Sequence, residues 1–471
     1  MTTKQQLARE LHSAVGKENV IGDASELLLY ECDGLTFHRH PPHLVVFVET
    51  AQQISDVVKV ANRYRIPFLP RGAGTGLSGG AIPIQGGIII ELARMQKIWE
   101  IDLENEFVVA EPGVINLSLS EKVSPHGYYF APDPSSQVSS TVGGNVAENS
   151  GGPHCLKYGV TVHHVLAIEA VLPDGAIVQL GSPFHQAGYD LAGLFTGSEG
   201  TMGIATKLWL RILRAPPAVR TFLAAFHSVV VAGEAVTRII ASGVLASALE
   251  LMDHLTIKAV EASVHAAGYP TDAAAVLIVE LDGLASEVEE QAGRVEGILT
   301  QSGAYHVREA KTEKERKQIW AGRKGAFGTM GRLNANLYLQ DTVVPRSRLP
   351  EVLEKVYGVA EKYRLMITSV FHAGDGNLHP LLLYNEKKPG DVEKVLAASE
   401  EIVRICIDAG GTLTGEHGIG LEKKDYMSWV FSPEDLAVME KVRDVFNPEG
   451  LCNPSKVLPE MKVCKCFVLA P

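Results

Sequence analysis

His372-Ala-Gly-Asp-Gly-Asn-Leu-His379, answered downstream by Gly415-Glu-His-Gly418, gathers three imidazoles and a carboxylate among glycines. Residues of these types suit metal-assisted proton transfer. Imidazole and carboxylate bind a divalent ion, and a further imidazole, with an ordinary pKa near ~6.5, can move a proton. Gly374 and Gly376 argue against a continuous helix between His372 and His379. Apolar runs flank them, Met366 to Phe371 before and Pro380 to Tyr384 after, so the reading is two strands joined by a Gly/Asp/Asn turn. Antiparallel pairing about that turn sets His372 and His379 roughly opposite each other on one face. With Glu416 they form a three-ligand, open catalytic site, and Asp375 and Asn377 are placed to orient the ligands. The competing reading is a pair of hydrogen-bonded turn histidines; the second Glu-His cluster favours the site.

The elements that position these residues divide the chain. At 471 residues and 46% hydrophobic, it can bury a large core in more than one domain. Residues 1–40 read as a helical and then irregular segment. From Pro41 to about Arg214 the sequence is dense in glycine and short β-branched runs (Leu44–Val48, Gly87–Leu92, Phe107–Ala110, Val165–Leu172, Ile204–Ile212), with a helix over Ala51–Tyr64. Arg214-Ala-Pro-Pro217 marks a boundary, giving a domain over 41–217. Over 218–418 strands and long helices alternate. Thr221–Val231 and Ala275–Leu281 read as strands; Gly233–Ala241, Ser286–Gln301, Glu309–Ala326 and Leu349–Tyr363 read as helices. Residues 419–471 include a helix, Ser432–Phe446, closed by Asn447-Pro-Glu-Gly. The fold class is α+β.

A formal charge of −12 with no long basic run argues against a nucleic-acid partner. The six cysteines hold no Cys-x-x-Cys pair, which argues against an iron–sulfur cluster or zinc ribbon in this chain and for a reducing compartment. Cys464-Lys-Cys466 reads as an incidental tail feature. No apolar stretch reaches a bilayer span and the N-terminus does not read as a signal peptide. The expectation is a cytoplasmic protein, with peripheral membrane docking and a homodimer left open.

Gly74, Gly76 and Gly79 spell G-x-G-x-x-G, but a second glycine pair, Gly86-Gly87, and strand-like Ile88-Ile-Ile follow, so no Rossmann helix starts there. What remains, after Pro70, is a nest of backbone N–H groups over Arg71, Gly72, Ala73, Gly74, Thr75, Gly76, Leu77, Ser78, Gly79 and Gly80, suited to a pyrophosphate. Pro132-Asp-Pro-Ser-Ser136 and Thr141-Val-Gly-Gly-Asn-Val-Ala-Glu-Asn-Ser-Gly-Gly152 form a second small-residue segment, and Gly197-Ser-Glu-Gly-Thr-Met-Gly203 a third. Such segments let backbone approach a flat ligand.

In this order, these motifs resemble the FAD-linked 2-hydroxyacid dehydrogenases of the vanillyl-alcohol-oxidase-type flavoprotein superfamily, in the branch of the glycolate oxidase flavoprotein subunit and D-lactate dehydrogenase. Trp320-Ala-Gly-Arg-Lys-Gly-Ala-Phe and Phe446-Asn-Pro-Glu-Gly-Leu-Cys-Asn-Pro-Ser-Lys456 share the likeness, which spans roughly residues 20–460. The resemblance implies a two-subdomain FAD-binding domain, a cap domain with an antiparallel sheet, and a C-terminal helical segment returning to the FAD domain. It implies that the loop at 70–79 holds the pyrophosphate and that Pro132, Asp133, Ser135, Ser136, Thr141, Gly143, Gly144, Asn145, Asn149, Ser150 and Gly151 lie along the flavin. Glu199, Gly203 and Ile204 would form the far wall, and Asn453 would close the site. Some relatives attach FAD through a loop histidine; Ala73 and Thr75 stand in this loop, so non-covalent FAD is expected.

The expected reaction oxidises a small 2-hydroxy acid. His372, His379 and Glu416 hold a divalent ion, zinc first and manganese or iron as alternatives; His417 is the base and Arg323 the carboxylate clamp, with Lys324 solvated. Asn336-Leu-Tyr-Leu-Gln-Asp341 offers no Lys or Arg for a second substrate carboxylate, which favours glycolate or D-lactate. Electrons would leave to a quinone, a soluble acceptor or an iron–sulfur partner subunit. Two other readings compete: a flavin-holding electron-transfer subunit that needs partners for activity, and a metal-dependent hydrolase, which leaves the glycine-rich segments unexplained.

Overall fold

The computed structural model describes residues 3–184 and 188–460; Cys464 and Cys466 lie outside them. The strands Leu44–Phe47, Ile88–Glu91 and Phe68–Arg71 run parallel, with Ile88–Glu91 in the centre. Their near-continuous burial is what a parallel sheet covered on both faces requires. The helix Ala51–Tyr64 crosses between them. Thr50 caps it, its hydroxyl accepting from the Gln53 N–H at 3.2 Å, and Ile54, Val57, Val58 and Ala61 face the sheet. Val20–Ile21 adds an antiparallel edge strand. On the other edge Phe68 exchanges backbone hydrogen bonds with the returning C-terminal segment, Phe68 N–H to Leu451 O and Asn453 N–H to Phe68 O. The glycine loop leaves the carboxyl end of Phe68–Arg71 and enters no helix.

A five-stranded antiparallel sheet follows, ordered Ile98–Asp102, Phe107–Ala110, Ile204–Arg211, Val165–Val171, Ile177–Gly181. The short helix Val142–Glu148 packs against it. A Cβ on Gly143 would come 2.4 Å from the Pro112 side chain, so only glycine permits that approach.

The remaining large sheet is antiparallel, ordered His306–Glu309, Ala218–Phe226, Ala275–Gly283, Ala248–Asp253, Met366–His372, with Pro380–Tyr384 and Asn336–Leu339 continuing from the last of these. Alternation splits its side chains cleanly. Phe222, Leu249, Leu251, Leu277, Val279 and Phe371 meet the helices Val229–Ala241, Ala285–Gln301, Leu349–Tyr363 and Asp391–Asp408. Leu223, Met252, Ile278 and Val370 meet His254–Glu261 and Glu313–Thr329.

Two sequence expectations shift. The strand read as Thr221–Val231 ends at Phe226, because Ser228 caps a helix from Val229, accepting from the Val231 N–H at 3.4 Å. The helix read as Glu309–Ala326 is a strand, His306–Glu309, and then a helix, Glu313–Thr329, capped by Thr312.

Candidate active site

Sheet register builds the imidazole cluster. Ser369 pairs with Pro380 and His372 with Asn377, so His379 falls opposite Val370. The two were expected roughly opposite each other on one face. They share a face but are offset diagonally by two residues, since the turn closes at Asn377 rather than midway between the histidines. Their ring centroids are 5.2 Å apart and perpendicular. His417 stacks on His379 at 4.9 Å.

Glu416 is the hub. Its Oε1 lies 3.2 Å from His372 Nε2, 3.2 Å from His379 Nε2 and 3.5 Å from His417 Nε2. One ligand atom from each of His372, His379 and Glu416 fits within 4.8 Å of the others, and the same holds for Asp341, His379 and His417. Ligands bound at ~2.0–2.2 Å around a tetrahedral ion stand roughly 3.3–3.6 Å apart, close to the 3.2 Å that separates Glu416 Oε1 from each of His372 Nε2 and His379 Nε2. Buried and without hydrogen-bond partners are Glu416 Oε2 and both ring nitrogens of His379; His379 Nε2 is near Glu416 but poorly aligned with it. These residues fit a divalent ion.

Two carboxylates absent from the sequence reading support the cluster. Glu250, fully buried, stands directly across from His372 in the neighbouring strand, Oε1 to Nδ1 at 2.8 Å. Asp341, also fully buried, accepts the Thr414 hydroxyl at 2.5 Å and the backbone N–H groups of Gly415, Glu416 and His417 at 3.0, 3.2 and 2.9 Å, all on Oδ2. Burial pulls His372 down, but Glu250 and Glu416 outweigh it and hold the imidazole well above its ordinary value. Burial dominates at His379, which is lowered. Burial raises Glu416, and the three imidazoles reverse that, leaving it well below the usual carboxylate range. Burial lowers His417, and Asp341 and Glu416 raise it further than burial lowers it.

Arg323 is 4% exposed, so it is not a solvated helix charge. Its Nε donates to Glu250 Oε2 at 2.6 Å and Nη2 is equally near. One edge of the guanidinium is thus committed to Glu250, and the full fork is not free for a ligand; Arg323 also lines the cavity described next. Lys324, expected to be solvated, is paired instead: its Nζ donates to Asp133 Oδ2 at 3.0 Å.

Pro70, Gly72, Ala73, Gly74, Thr75, Gly76, Leu77, Ser135, Ser136, Thr141, Gly143, Gly144, Asn145, Ser150, Gly151, Glu199 and Gly203 line one cavity of about 480 Å³. Arg323, Lys324, His372, His379, Glu416 and His417 line the same cavity, with Phe327, Leu339 and Val370 as apolar wall. Other residues of the sequence reading stand behind the wall. Arg71 donates to Ala81 O and crosses the Tyr30 ring, bracing the loop from its far side. Ser78 O accepts from the Leu421 N–H, and a Cβ on Gly79 would meet Leu421 at 3.1 Å. Pro132 O accepts from Asn116 and Asp133 pairs with His154. Asn149 ends its helix at φ 54°, its side chain accepting from the Val162 N–H. Ile204 is core, and Asn453 donates to Gly80 O and Glu199 O, clasping loop to wall. Asp375 bonds the Asn377 N–H at 3.3 Å and Asn377 packs under Gly415.

Buried polar atoms on cavity-lining residues lack partners, among them Asn145 Nδ2, Ser140 Oγ, Ser198 Oγ and Glu199 Oε2. A small-residue wall with unspent donors and acceptors fits a flavin nucleotide. The sequence reading also missed Asp33 and Glu148, which line the cavity beside Glu199. Burial pushes Asp33 up to about 6, Glu199 up to about 7 and Glu148 well above its ordinary value, and pulls Lys456 down to about 8. Glu250 carried a signal that was overlooked: a lone Glu within the apolar run Ala248-Leu-Glu-Leu-Met. Asp341 carried no such signal.

With this geometry in place, the comparisons with known proteins are specific. The family model for the FAD-linked oxidases' C-terminal domain matches residues 215–457, and that for an FAD-binding domain matches residues 42–181. This chain is a member of the FAD-linked oxidase family. It is 45% identical over 443 residues to glycolate oxidase subunit GlcD of Escherichia coli, covering 94% of this chain and 89% of that protein. It is 33% identical to a D-lactate dehydrogenase of Anaerostipes hadrus, over 88% of this chain and 89% of the relative. In fold it is similar to 4-ethylphenol oxidase from Gulosibacter chungangensis, with a TM-score of 0.81 at 17% identity over 98% of each chain. The protein is therefore an FAD-linked oxidoreductase of vanillyl-alcohol-oxidase-type fold. No helix among the described residues is long and apolar enough to cross a membrane.

Proposed function

We propose that this FAD-linked oxidoreductase oxidises a small 2-hydroxy acid, glycolate or D-lactate, to the 2-oxo acid with a divalent ion at His372, His379 and Glu416. The reading rests on one observation: the glycine-rich wall, Arg323 and the imidazole cluster line the same cavity, and a Cβ on Gly151 of that wall would meet Glu416 at 2.7 Å. The comparisons with a glycolate oxidase subunit and a D-lactate dehydrogenase support it. We keep the division into 41–217 for the flavin, 218–418 for the substrate and 419–471 for the returning segment.

FAD, held without a covalent bond along the glycine-rich wall, supplies the acceptor for the hydride-equivalent leaving Cα. A bound divalent ion, zinc first, supplies Lewis acidity that lowers the pKa of a hydroxyl oxygen. The chain's own groups do the rest. Arg323 presents its free edge to the substrate carboxylate, held flat by Glu250. His417, anchored through its N–H to Asp341 and stacked on His379, takes the hydroxyl proton. Asp375 and Asn377 brace the turn that carries His379. Phe327, Leu339 and Val370 are apolar, and the lining Lys324 is committed to Asp133, which fits a short acid. Since the similar Escherichia coli protein is named as a subunit, a reading in which electrons pass to a partner also has support; a quinone or soluble acceptor is the alternative.

The test is the absorption spectrum of the purified protein, followed by anaerobic addition of glycolate or D-lactate. Flavin bleaching by one of them, lost after chelation, is the expected result. Bound flavin that neither acid reduces would overturn the substrate assignment.

A further inference from the structure

We propose that His154 is a positioning residue that bridges Asp133 and Glu280, fastening the flavin-side loop at 132–136 to the helix Glu313–Thr329 and thereby fixing Arg323 over the cavity. The inference rests on the function proposed above.

The bridge is built from both halves of the chain. His154 Nδ1 lies 2.9 Å from Asp133 Oδ2, and Nε2 lies 3.1 Å from Glu280 Oε1. Lys324 completes the circuit from the helix, its Nζ donating to the same Asp133 oxygen at 3.0 Å. Glu280 is itself held by the Thr221 hydroxyl at 2.5 Å and the Trp320 indole N–H at 2.6 Å, with Arg316 at 3.4 Å. His154 thus holds Asp133 directly and the helix through Glu280 and Trp320, alongside the direct Lys324–Asp133 pair; Asp133 precedes the lining residues Pro134 to Ser136, and Lys324 follows Arg323. A second pair runs alongside, with Lys157 and the Tyr158 hydroxyl both donating to Asp282. His154 also packs against Trp320, ring centroids 5.2 Å apart.

The groups facing His154 are thus Asp133 from the loop, Glu280 from the sheet, Arg316, Trp320 and Lys324 from the helix, and Cys155 beside it. Burial pulls the imidazole down, but the two carboxylates carry it up to about 10. The bridge is charged at neutral pH and dissolves as the solution passes that value. Losing it frees the helix to shift, and a small displacement of Arg323 weakens substrate binding more than it slows chemistry.

The experiment uses the FAD-loaded protein as wild type, His154→Gln and Glu280→Gln. The last of these keeps the Thr221 and Trp320 hydrogen bonds while removing the charge. KM and kcat for glycolate and D-lactate are measured with a dye acceptor from roughly pH 6 to 10.5, and hydrogen exchange is followed across the helix Glu313–Thr329. At pH 7 both variants should raise KM about tenfold with kcat within about threefold. Wild-type KM should climb as pH passes about 10, and the His154→Gln profile should lack that step; Lys324→Met should retain it. Exchange should rise in Glu313–Thr329 and stay unchanged in Ala51–Tyr64. Folded, flavin-loaded variants with wild-type KM, pH profile and exchange overturn the proposal while leaving the functional reading intact. Wild-type protein that binds flavin and oxidises neither acid overturns the functional reading instead, and exchange alone then decides the bridge.

Discussion

Asp341→Asn removes a charge from the centre of the turn that carries Glu416 and His417 without changing its size. Oδ2 accepts four hydrogen bonds, from the Thr414 hydroxyl and the N–H groups of Gly415, Glu416 and His417, in a fully buried setting. Burial raises Asp341, but His417, Lys423 and His379 outweigh it and hold the carboxyl well below its usual range, so it is ionised at any working pH. Hydrogen bonds to a charged group contribute ~1.5–3 kcal/mol against ~0.5–1.5 for neutral pairs. Asparagine can keep the contacts but loses roughly 1 kcal/mol at each. Since the bonds share one oxygen and are not independent, the loss is about 2–4 kcal/mol in all. Part of that appears as a looser turn, so zinc affinity measured by chelator competition should fall ~10–100-fold, and kcat/KM should fall with it. Flavin absorption should be unchanged, because the glycine loop is held by Asn453 and Leu421. A variant with metal affinity and kcat/KM within about twofold of wild type would refute the assignment of Asp341 as the organiser of this turn.

His417→Ala should lower kcat by ~10²–10⁴ with flavin retained; turnover near wild type in stopped-flow flavin reduction removes His417 as the base. Arg323→Lys keeps the charge but gives up the planar fork that offers one edge to Glu250 and the other to substrate, so KM should rise ~10–100-fold, more than kcat falls; an unchanged KM rules out the clamp. Glu199→Gln tests the buried carboxylates. Burial holds Glu199 up to about 7, above its ordinary value of ~4.3, so its support for the fold is complete below that ordinary value and is lost as pH rises through about 7. Glutamine keeps an acceptor for the Ile419 N–H, bonded at 2.7 Å. The variant's Tm relative to wild type should therefore increase between roughly pH 5 and pH 8, and a pH-independent difference contradicts this.

Local patterns made much of this protein legible. The helix Ala51–Tyr64 follows from its Thr50 cap and apolar spacing. The strands around 44, 88, 107, 165 and 204 follow from β-branched runs bounded by turn residues. The glycine-rich segments and the His-x₆-His and Glu-His motifs also declared themselves, because glycine and histidine in such density serve few structural purposes. Where alternatives lay close in propensity the reading slipped, as at Val229–Val231, where a β-branched run is drawn into a helix by the Ser228 cap.

What the sequence alone determined was which residue types are available for chemistry and which short segments must bend around a ligand, since both are local properties of side-chain chemistry and backbone freedom. Only the tertiary structure decided that Glu250 faces His372, that Asp341 gathers the turn at 414–417, that His379 sits diagonal to its partner, and that one edge of Arg323 is taken. Those facts depend on strand register and on the meeting of segments separated by 76 residues at the Asp341–His417 bond and 126 at His154–Glu280. A one-residue slip in register would send Glu250 to the opposite face of the sheet, and register is set by packing of the whole core rather than by any local signal.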